Sequence, residues 1–450
     1  MVTDTQFLLP EIRSIIQSKN YSALKELFEE IQAPDIADVV MQLQDEEQAI
    51  LFRLLPKQSA REVFEYLSPL QQEKLLVAMS TETVADLVTE MAPDDRTALL
   101  EELPEEVTTK LISHLPAEEL NIIRKLLAYP EQSVGRIMTP DYMALPPELT
   151  VSVALERIRK EGIDKETINV IYLIDEHFHL VGTVSLRDIV LASPEKKLSE
   201  LRRGEPISIS AIADQEEAVA LIRKYDRIAL PVVDSETKLI GIVTVDDLLD
   251  IAQEEATEDI QKMGAMEALD EPYFQTRFWP MVKKRGPILL LLFVEELFTG
   301  TALRYYSSEL EHALALMFFV PLIVSSGGNS GSQSATLVVR GMAIGEIRMK
   351  DWLRVFSREI GISTALGVFL GICGFIRAMM WGNGVLIAST VACTIFGIII
   401  VGTLVGAVLP FVIRKIGFDP AVSSSPFLAS LVDVIGIVIY FSVAKVILHL

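Results

Sequence analysis

The sequence predicts a multidomain membrane protein: an all-α N-terminal domain, an α/β domain, and a polytopic α-helical membrane domain. Three observations predict it. Turn residues punctuate the first part of the chain at near-constant spacing, a strand-rich segment then repeats itself, and the last third is apolar. The expected boundaries are 1–137 for the acidic helical domain and 138–252 for the duplicated α/β domain. A connecting helix is expected over 253–285, and five membrane helices over 286–450.

Charge separates the soluble part from the membrane part. Residues 1–285 hold 53 Asp and Glu against 30 Lys and Arg, whereas 286–450 hold 9 against 10. A surface so acidic repels nucleic acid and anionic lipid and attracts cations. Divalent cations are therefore expected partners and nucleic acid is not, although solubility alone also accounts for an acidic surface. Cys373 and Cys393 lie in apolar stretches without metal-ligand spacing, and are expected to be reduced, buried packing residues. The opening MVTDTQFLLPEIR lacks a basic start followed by an apolar run, so the N-terminus is expected to stay in the cytosol.

In the helical part, a proline or turn residue recurs at Pro56, Pro69, Thr81, Pro93, Pro104 and Pro116. Proline suits the first turn of a helix and breaks its interior, so each mark starts a new short helix. The stretches between, such as AREVFEYL and EEVTTKLISHL, are amphipathic. One such helix buries little alone and must stack on its neighbours, which predicts a helical solenoid, with an irregular bundle as the alternative.

From residue 138 the period changes to that of strands, as in INVIYLID and LVGTVSL. IYLIDEHFHLVGTVSLRDIV aligns with ALPVVDSETKLIGIVTVDDLLD at a constant offset, pairing Asp175 with Asp234, Gly182 with Gly241 and Asp188 with Asp247. Each half reads strand, helix, strand, strand, helix. With the signature present as GTVSLRD and again as GIVTVDD, the segment resembles a tandem pair of CBS domains. That resemblance implies a ligand-sensing module, often for adenine nucleotides, attached to an enzyme or channel. His177 and His179 in DEHFHLVG have a spacing that could chelate, but a solvated turn is the favoured reading. The remaining histidines, His114, His312 and His449, are scattered.

The segment ending FWPMVKKRG places Trp279, Lys283, Lys284 and Arg285 where a membrane headgroup region would favour them. Candidate spans follow at 287–303, 313–326, 357–378, 385–413 and 426–449, in contact with the lipid bilayer. With the N-terminus inside, the cytoplasmic flanks carry Lys283, Lys284, Arg285, Arg340, Arg348, Lys350, Arg354, Arg358, Arg414 and Lys415. The outer loops carry only Arg304 and Arg377, the bias expected of this orientation. Five spans then put the C-terminus outside.

A carboxylate within a span is costly to place and is a functional candidate by default. Asp433, in FLASLVDVIGIVIYFSVAKVIL, has no basic residue within one turn. A cation site in a pore fits it better than a structural bond to a neighbouring Ser or Thr. Glu295 and Glu296 are adjacent, so they diverge around a helix and cannot both face one pore. In PLIVSSGGNSGSQSATLVVR, small and polar residues interrupt an apolar run, which suggests irregular backbone whose carbonyls and hydroxyls could meet a hydrated cation. An ordinary polar loop is the plainer reading.

The run from Pro321 to Arg340, with GGNSGSQSA at its centre, and SLVDVIG at Ser430 to Gly436 resemble the MgtE family of magnesium channels. The order of parts, over essentially the whole chain, resembles that family too. The resemblance implies a homodimer in a bacterial plasma membrane, with a pore lined by the second and fifth spans and Asp433 from each subunit facing it. Carbonyls near Ala429 and Gly436 would complete the pore site. It also implies that Mg2+ is both cargo and regulator. The regulatory ions would bridge carboxylates matching Glu62, Asp94, Asp214, Glu216, Asp226, Asp247, Asp250, Glu255, Glu258, Asp259 and Asp419, and so hold the pore closed.

This chain departs from the family pattern at several positions. Ala98 stands where a carboxylate is expected, Arg136 where a glycine helps hold an ion, and Ser425 at the pore mouth where Asn is usual. Some members bind ATP in the CBS pair. Arg187 and Asp188 match its ribose and phosphate side, but Val170 and Arg227 stand where aromatic residues would meet adenine. A secondary transporter coupled to Na+ or H+ through Asp433 or the Glu295–Glu296 pair is the alternative function. An enzyme is not expected, because no nucleophile–base pair, HExxH, P-loop or kinase motif is present.

Overall fold

The computed structural model describes residues 5–449 apart from 19–22, 25–26, 29–30, 80, 203, 270–272, 275, 308–313 and 424. His312 and the first residue of the second expected span therefore lie outside the described residues. The chain divides into two compact units, Met1–Ile251 and Ala252–Leu450.

The first unit opens with short helices: α1 (Thr5–Gln17), α2 (Ala33–Val40), α3 (Asp45–Leu54), α4 (Lys57–Glu65), α5 (Pro69–Ala78), α6 (Thr81–Glu90), α7 (Pro93–Glu102), α8 (Glu105–Ile112) and α9 (Ala117–Leu127). Five of the six sequence marks that precede or begin these helices are prolines. Pro69 and Pro93 occupy the first helical turn, and Pro56, Pro104 and Pro116 sit at the N-cap. From α2 onward the packing skips a neighbour, α2 on α4, α3 on α5, α4 on α6, α6 on α8 and α7 on α9, as a solenoid requires. The shared core runs through Val40, Leu51, Val63, Phe64, Val88 and Leu99, all nearly inaccessible to solvent.

The duplicated part follows with β1 (Tyr142–Leu145), α10 (Val151–Glu161), β2 (Thr167–Ile174), β3 (Leu180–Ser185) and α11 (Leu186–Leu191). Its second copy is β4 (Ile209–Ser210), α12 (Gln215–Tyr225), β5 (Ala229–Val233), β6 (Leu239–Thr244) and α13 (Val245–Met263). Each copy builds a three-stranded sheet whose first pair is parallel and second antiparallel. In the first copy the repeated signature works as a helix cap, Ser185 Oγ accepting from the Asp188 amide at 3.1 Å; in the second, Thr244 Oγ1 donates instead to the Asp247 carboxylate. The connecting helix expected over 253–285 is interrupted: α13 ends at Met263, residues 264–269 are turn and coil, and helix resumes at Phe278.

Among the described residues, the second unit holds five helices long and apolar enough to cross a membrane. They are α14 (Phe278–Tyr305), α15 (Val320–Ala343, preceded by a 3-10 turn from Leu314), α16 (Trp352–Met380), α17 (Gly384–Lys415) and α18 (Ser425–Leu448). Two expectations are corrected. The polar run after Pro321 is neither a loop nor irregular backbone: it lies inside α15, so its carbonyls accept the helix's own amides. The second span accordingly extends to Ala343 rather than ending at Ser326. The small residues serve helix contact. Gly327 and Gly331 of α15 face Gly402 and Gly406 of α17 so closely that a β-carbon on Gly406 would lie 2.1 Å from the Gly331 carbonyl oxygen. Second, Cys373 and Cys393 are free but exposed on the outer faces of α16 and α17, a surface that an apolar solvent would cover.

Candidate ion pathway and regulatory carboxylates

Asp433 lies two turns into α18 and is half-buried. α18 packs on α15 because Gly327 and Gly328 present no side chain to it. A β-carbon on Gly327 would collide with Val432 and Ile398, and one on Gly328 would meet Ala429 at 3.3 Å and Asp433 Oδ1 at 3.6 Å. The backbone of α15 thus passes directly beside the carboxylate. Ala429 and Asp433, one turn apart, share this face of α18. Gly436 is buried against Ile398 of α17, where a β-carbon would be only 2.2 Å from Cδ1. Hydroxyls and an amide line the same helix. Ser330 Oγ meets Thr403 Oγ1 at 2.6 Å, Asn329 Nδ2 donates to Ser325 Oγ at 3.2 Å, and Ser332 Oγ donates to the Ser425 carbonyl at 3.3 Å.

Glu295 and Glu296 diverge as their adjacency requires: Glu295 is half-buried and Glu296 exposed on the surface of α14. Sequence reading passed over a fourth membrane carboxylate, Glu359 of α16, which accepts from Ser334 Oγ of α15 at 2.9 Å. Its position inside the expected third span was the available signal.

The carboxylates outside the membrane helices fall into separate groups. In the first unit, burial and then the negative charge of Asp247 hold the Asp94 carboxyl well above its usual range, and Asp94 Oδ1 is buried without a hydrogen-bond partner. Burial also raises Asp247, to about 7 against the opposing Thr244 hydroxyl, and raises Asp95, with Asp246 adding to it. Glu65 is pushed up to about 7 by burial and then by Asp95. Glu65, Asp95 and Asp246 were not singled out in the sequence, because only the fold brings α4, α7 and α13 together. Glu62 lines a cavity of about 400 Å3 with Glu65, Tyr66 and Gln32. Asp250 is exposed on α13.

Asp214, Glu216 and Asp226 belong to α12. Asp214 Oδ1 caps that helix by accepting from the Glu216 amide at 2.9 Å, Glu216 is exposed in its first turn, and Asp226 ends it in a left-handed conformation. Arg136 closes a nearby gap. It donates to Glu101 through Nε and Nη2 at 3.0 and 2.7 Å, and through Nη1 to the Leu127 and Tyr129 carbonyls. Arg136, expected from the resemblance to replace a glycine, is thus a cation fixed by its bonds.

In the second unit, Glu255, Glu258 and Asp259 of α13 and Asp419 of the α17–α18 turn form another group. Burial, then Asp419 and Glu255, raise the Asp259 carboxyl. Lys262 Nζ lies 2.5 Å from Glu258 Oε1 and 2.7 Å from Asp419 Oδ2. Burial disfavours its charge, but these two partners outweigh it and raise its pKa. Among the described residues, no three His, Cys, Asp or Glu side chains are already drawn into a metal-holding cluster. The groups are pairs and crowds of like charge, which a cation would relieve.

In the duplicated domain Arg187 is exposed, Asp188 lies in the first turn of α11, and Arg227 is exposed. His179 Nδ1 pairs with Asp175 Oδ2 at 3.0 Å in the turn.

Residues 320–443 match a family described as a divalent cation transporter, 31–132 the MgtE intracellular N domain, and 134–195 and 198–254 the CBS domain. The chain is 35% identical to the magnesium transporter MgtE of Thermus thermophilus, covering 98% of this chain and 99% of that one. It is 34% identical to the magnesium transporter MgtE of Bacillus subtilis, over 92% and 94%. A crystal structure of the cytosolic domain of the Mg2+ channel MgtE in complex with ATP superposes with TM-score 0.52 at 34% identity, covering 54% of this chain and all of that one. A crystal structure of the soluble part of a magnesium transporter gives TM-score 0.53 at 27% identity, over 56% of this chain and all of that one.

Proposed function

From the premise that this chain belongs to the MgtE family of magnesium transporters, we propose that it is a homodimeric Mg2+ channel that admits magnesium across the bacterial plasma membrane. Its N-terminus is cytoplasmic and its C-terminus outside, which the ten-to-two bias of basic residues supports. The pore runs along α15 and α18, with Asp433 from each subunit supplying charge. The observation that carries this reading is the placement of Asp433 beside the bare backbone of Gly328, which leaves the carboxylate uncovered on that side. Mg2+ holds its waters tightly and prefers octahedral oxygen coordination, so two facing carboxylates attract it without stripping its shell.

The cytoplasmic carboxylates are the gate's sensor. Asp94 with Asp247, and Glu255, Glu258, Asp259 and Asp419, are crowded enough to repel one another when ionised. Mg2+ bridging them favours the conformation in which they are close, and so closes the pore by differential binding. Glu62, Asp214, Glu216, Asp226 and Asp250 complete the regulatory set. A nucleotide site in the duplicated domain would use Arg187 and Asp188 on its ribose and phosphate side, and a relative's cytosolic domain is known in complex with ATP; Val170 and Arg227, standing in place of aromatic residues, weigh against the adenine side.

The test is patch-clamp recording of the reconstituted protein while Mg2+ is raised on the cytoplasmic side. Single-channel currents that shut off in the millimolar range are the expected result. Silent patches, with slow uptake that requires a sodium or proton gradient, would favour the coupled-transporter alternative.

A further inference from the structure

Lys262 stands inside the carboxylate group of the second unit. Its ammonium reaches Glu258 Oε1 at 2.5 Å, one turn back on the same helix, and Asp419 Oδ2 at 2.7 Å, in the turn between α17 and α18. Asp419 is fixed from its other side. Its Oδ1 accepts from the Ala421 amide at 2.9 Å and caps the 3-10 turn Pro420–Val422. The end of α13 is fixed too, because Gln261 Oε1 accepts from the Leu269 amide at 2.6 Å. Lys262 thus spans two anchored pieces of chain that are far apart in sequence.

An ammonium and a small dication compete for such oxygens. Mg2+ requires oxygen ligands at about 2.0–2.1 Å in a near-ideal octahedron, and a cation already hydrogen-bonded to those oxygens has to leave first. We propose that Lys262 is a built-in competitor of Mg2+: it occupies Glu258 and Asp419, and it thereby sets the ion concentration at which this carboxylate group responds. The inference rests on the sensing role argued above. It adds the residue that tunes that role.

The chemistry suits tuning rather than blocking. Lys262 is about a quarter exposed, with a side-chain accessibility of 27%, so solvent weakens its pairing. Its single charge stands in a group that holds four carboxylates, because Asp259 feels Asp419, Glu255 and Glu258 as well as Lys262. The residual negative charge still attracts a dication. A flexible four-carbon stem lets the ammonium swing into solvent without moving backbone, which the rigid fork of arginine would resist.

The experiment is a Mg2+ titration of the purified full-length protein, read by protection of α13 from protease and, after reconstitution, by channel closure. Lys262→Gln is expected to lower the half-maximal Mg2+ concentration about tenfold, the worth of one charge-assisted hydrogen bond. Lys262→Arg, which can grip both carboxylates more firmly, is expected to raise it severalfold, so the test survives a poorly folding Gln variant. A responsive wild type with an unchanged or raised midpoint in Lys262→Gln, or an unchanged or lowered one in Lys262→Arg, overturns the competitor role alone. A wild type indifferent to Mg2+ in both readouts overturns the sensing role, and this inference with it.

Discussion

A β-carbon on Gly328 would stand 3.6 Å from Oδ1 of Asp433, so this membrane carboxylate faces a helix that offers it only backbone at that point. Alanine at 328 makes tight but ordinary contacts, the nearest at 3.3 Å to Ala429. A longer side chain has to enter the space in front of the carboxylate. Gly328→Leu is therefore expected to cut Mg2+ flux at least about tenfold, while Gly328→Ala stays within about threefold of wild type. Asp433→Ala is expected to abolish flux with expression and dimerisation retained. Uptake of Mg2+ into liposomes, alongside size-exclusion profiles, checks all three. Normal flux in Gly328→Leu would place the pathway elsewhere.

The α15–α17 crossing yields a stability prediction. Gly331 and Gly406 meet backbone to backbone, and a β-carbon at 406 would sit 2.1 Å from the Gly331 carbonyl oxygen. No flexible side chain is there to yield, so the helices must separate. Gly406→Val is expected to cost about 3 kcal/mol or more, seen as loss of monodisperse protein and a lower melting temperature in detergent. Gly361, with open space around its missing side chain, is the control, and Gly361→Ala should be neutral.

These particulars show what was legible in the sequence. Proline at the first turn or N-cap forces a helix start whatever surrounds it, so the short helices of the first unit could be read off the chain. The sheet domain was legible because it is written twice, and in both copies the signature's hydroxyl and aspartate pair locally, Ser185 with the Asp188 amide and Thr244 with the Asp247 carboxylate. The run around Gly331 was misread because hydropathy scores Gly, Ser and Asn as loop formers. In a membrane helix the same residues let backbones touch. The cysteines were misread because an apolar neighbourhood in sequence means burial only when the solvent is water. Lys262 and Asp419 are 157 residues apart, and nothing local announces their pairing.

Arg136 offers a test of a fixed cation in place of a mobile one. Its bidentate hold on Glu101 ties the end of α7 to the segment after α9, and Nη1 caps two carbonyls at the end of α9. Arg136→Gly is expected to destabilise the cytoplasmic part by about 1–2 kcal/mol, discounted because Glu101 is more than a third exposed. The variant should also make that stability more dependent on Mg2+. Thermal unfolding at low and high Mg2+ separates the two effects. An unchanged melting temperature under both conditions would mean that the strap is idle.

Deleting residues 1–137 removes Glu62, Asp94 and Asp95 while leaving α13 and the membrane helices. The truncated chain is expected to conduct Mg2+ but to close poorly as cytoplasmic Mg2+ rises. Recording open probability against Mg2+ for both chains checks this, and equal inhibition of the two would contradict a sensor in the first unit.

The raised carboxyls of the first unit predict a pH dependence whose sign can be worked out. Asp247 and Glu65 bind protons up to about pH 7 in the folded arrangement, because burial and neighbouring carboxylates disfavour their charge. In the unfolded chain the same groups release them near pH 4. The folded state therefore holds more protons between those values. Their contribution to stability is fully present below about pH 4 and is lost as pH rises through about 7. Without divalent cations the cytoplasmic part should melt at a lower temperature at pH 8 than at pH 6. Mg2+ neutralises the ionised carboxylates, so it should restore most of the loss at pH 8 and do little at pH 6. Thermal scans of the full-length protein at the two pH values, with Mg2+ or with chelator, give four melting temperatures. Equal Mg2+ stabilisation at both pH values would mean that the ion binds away from Asp94, Asp247 and Glu65.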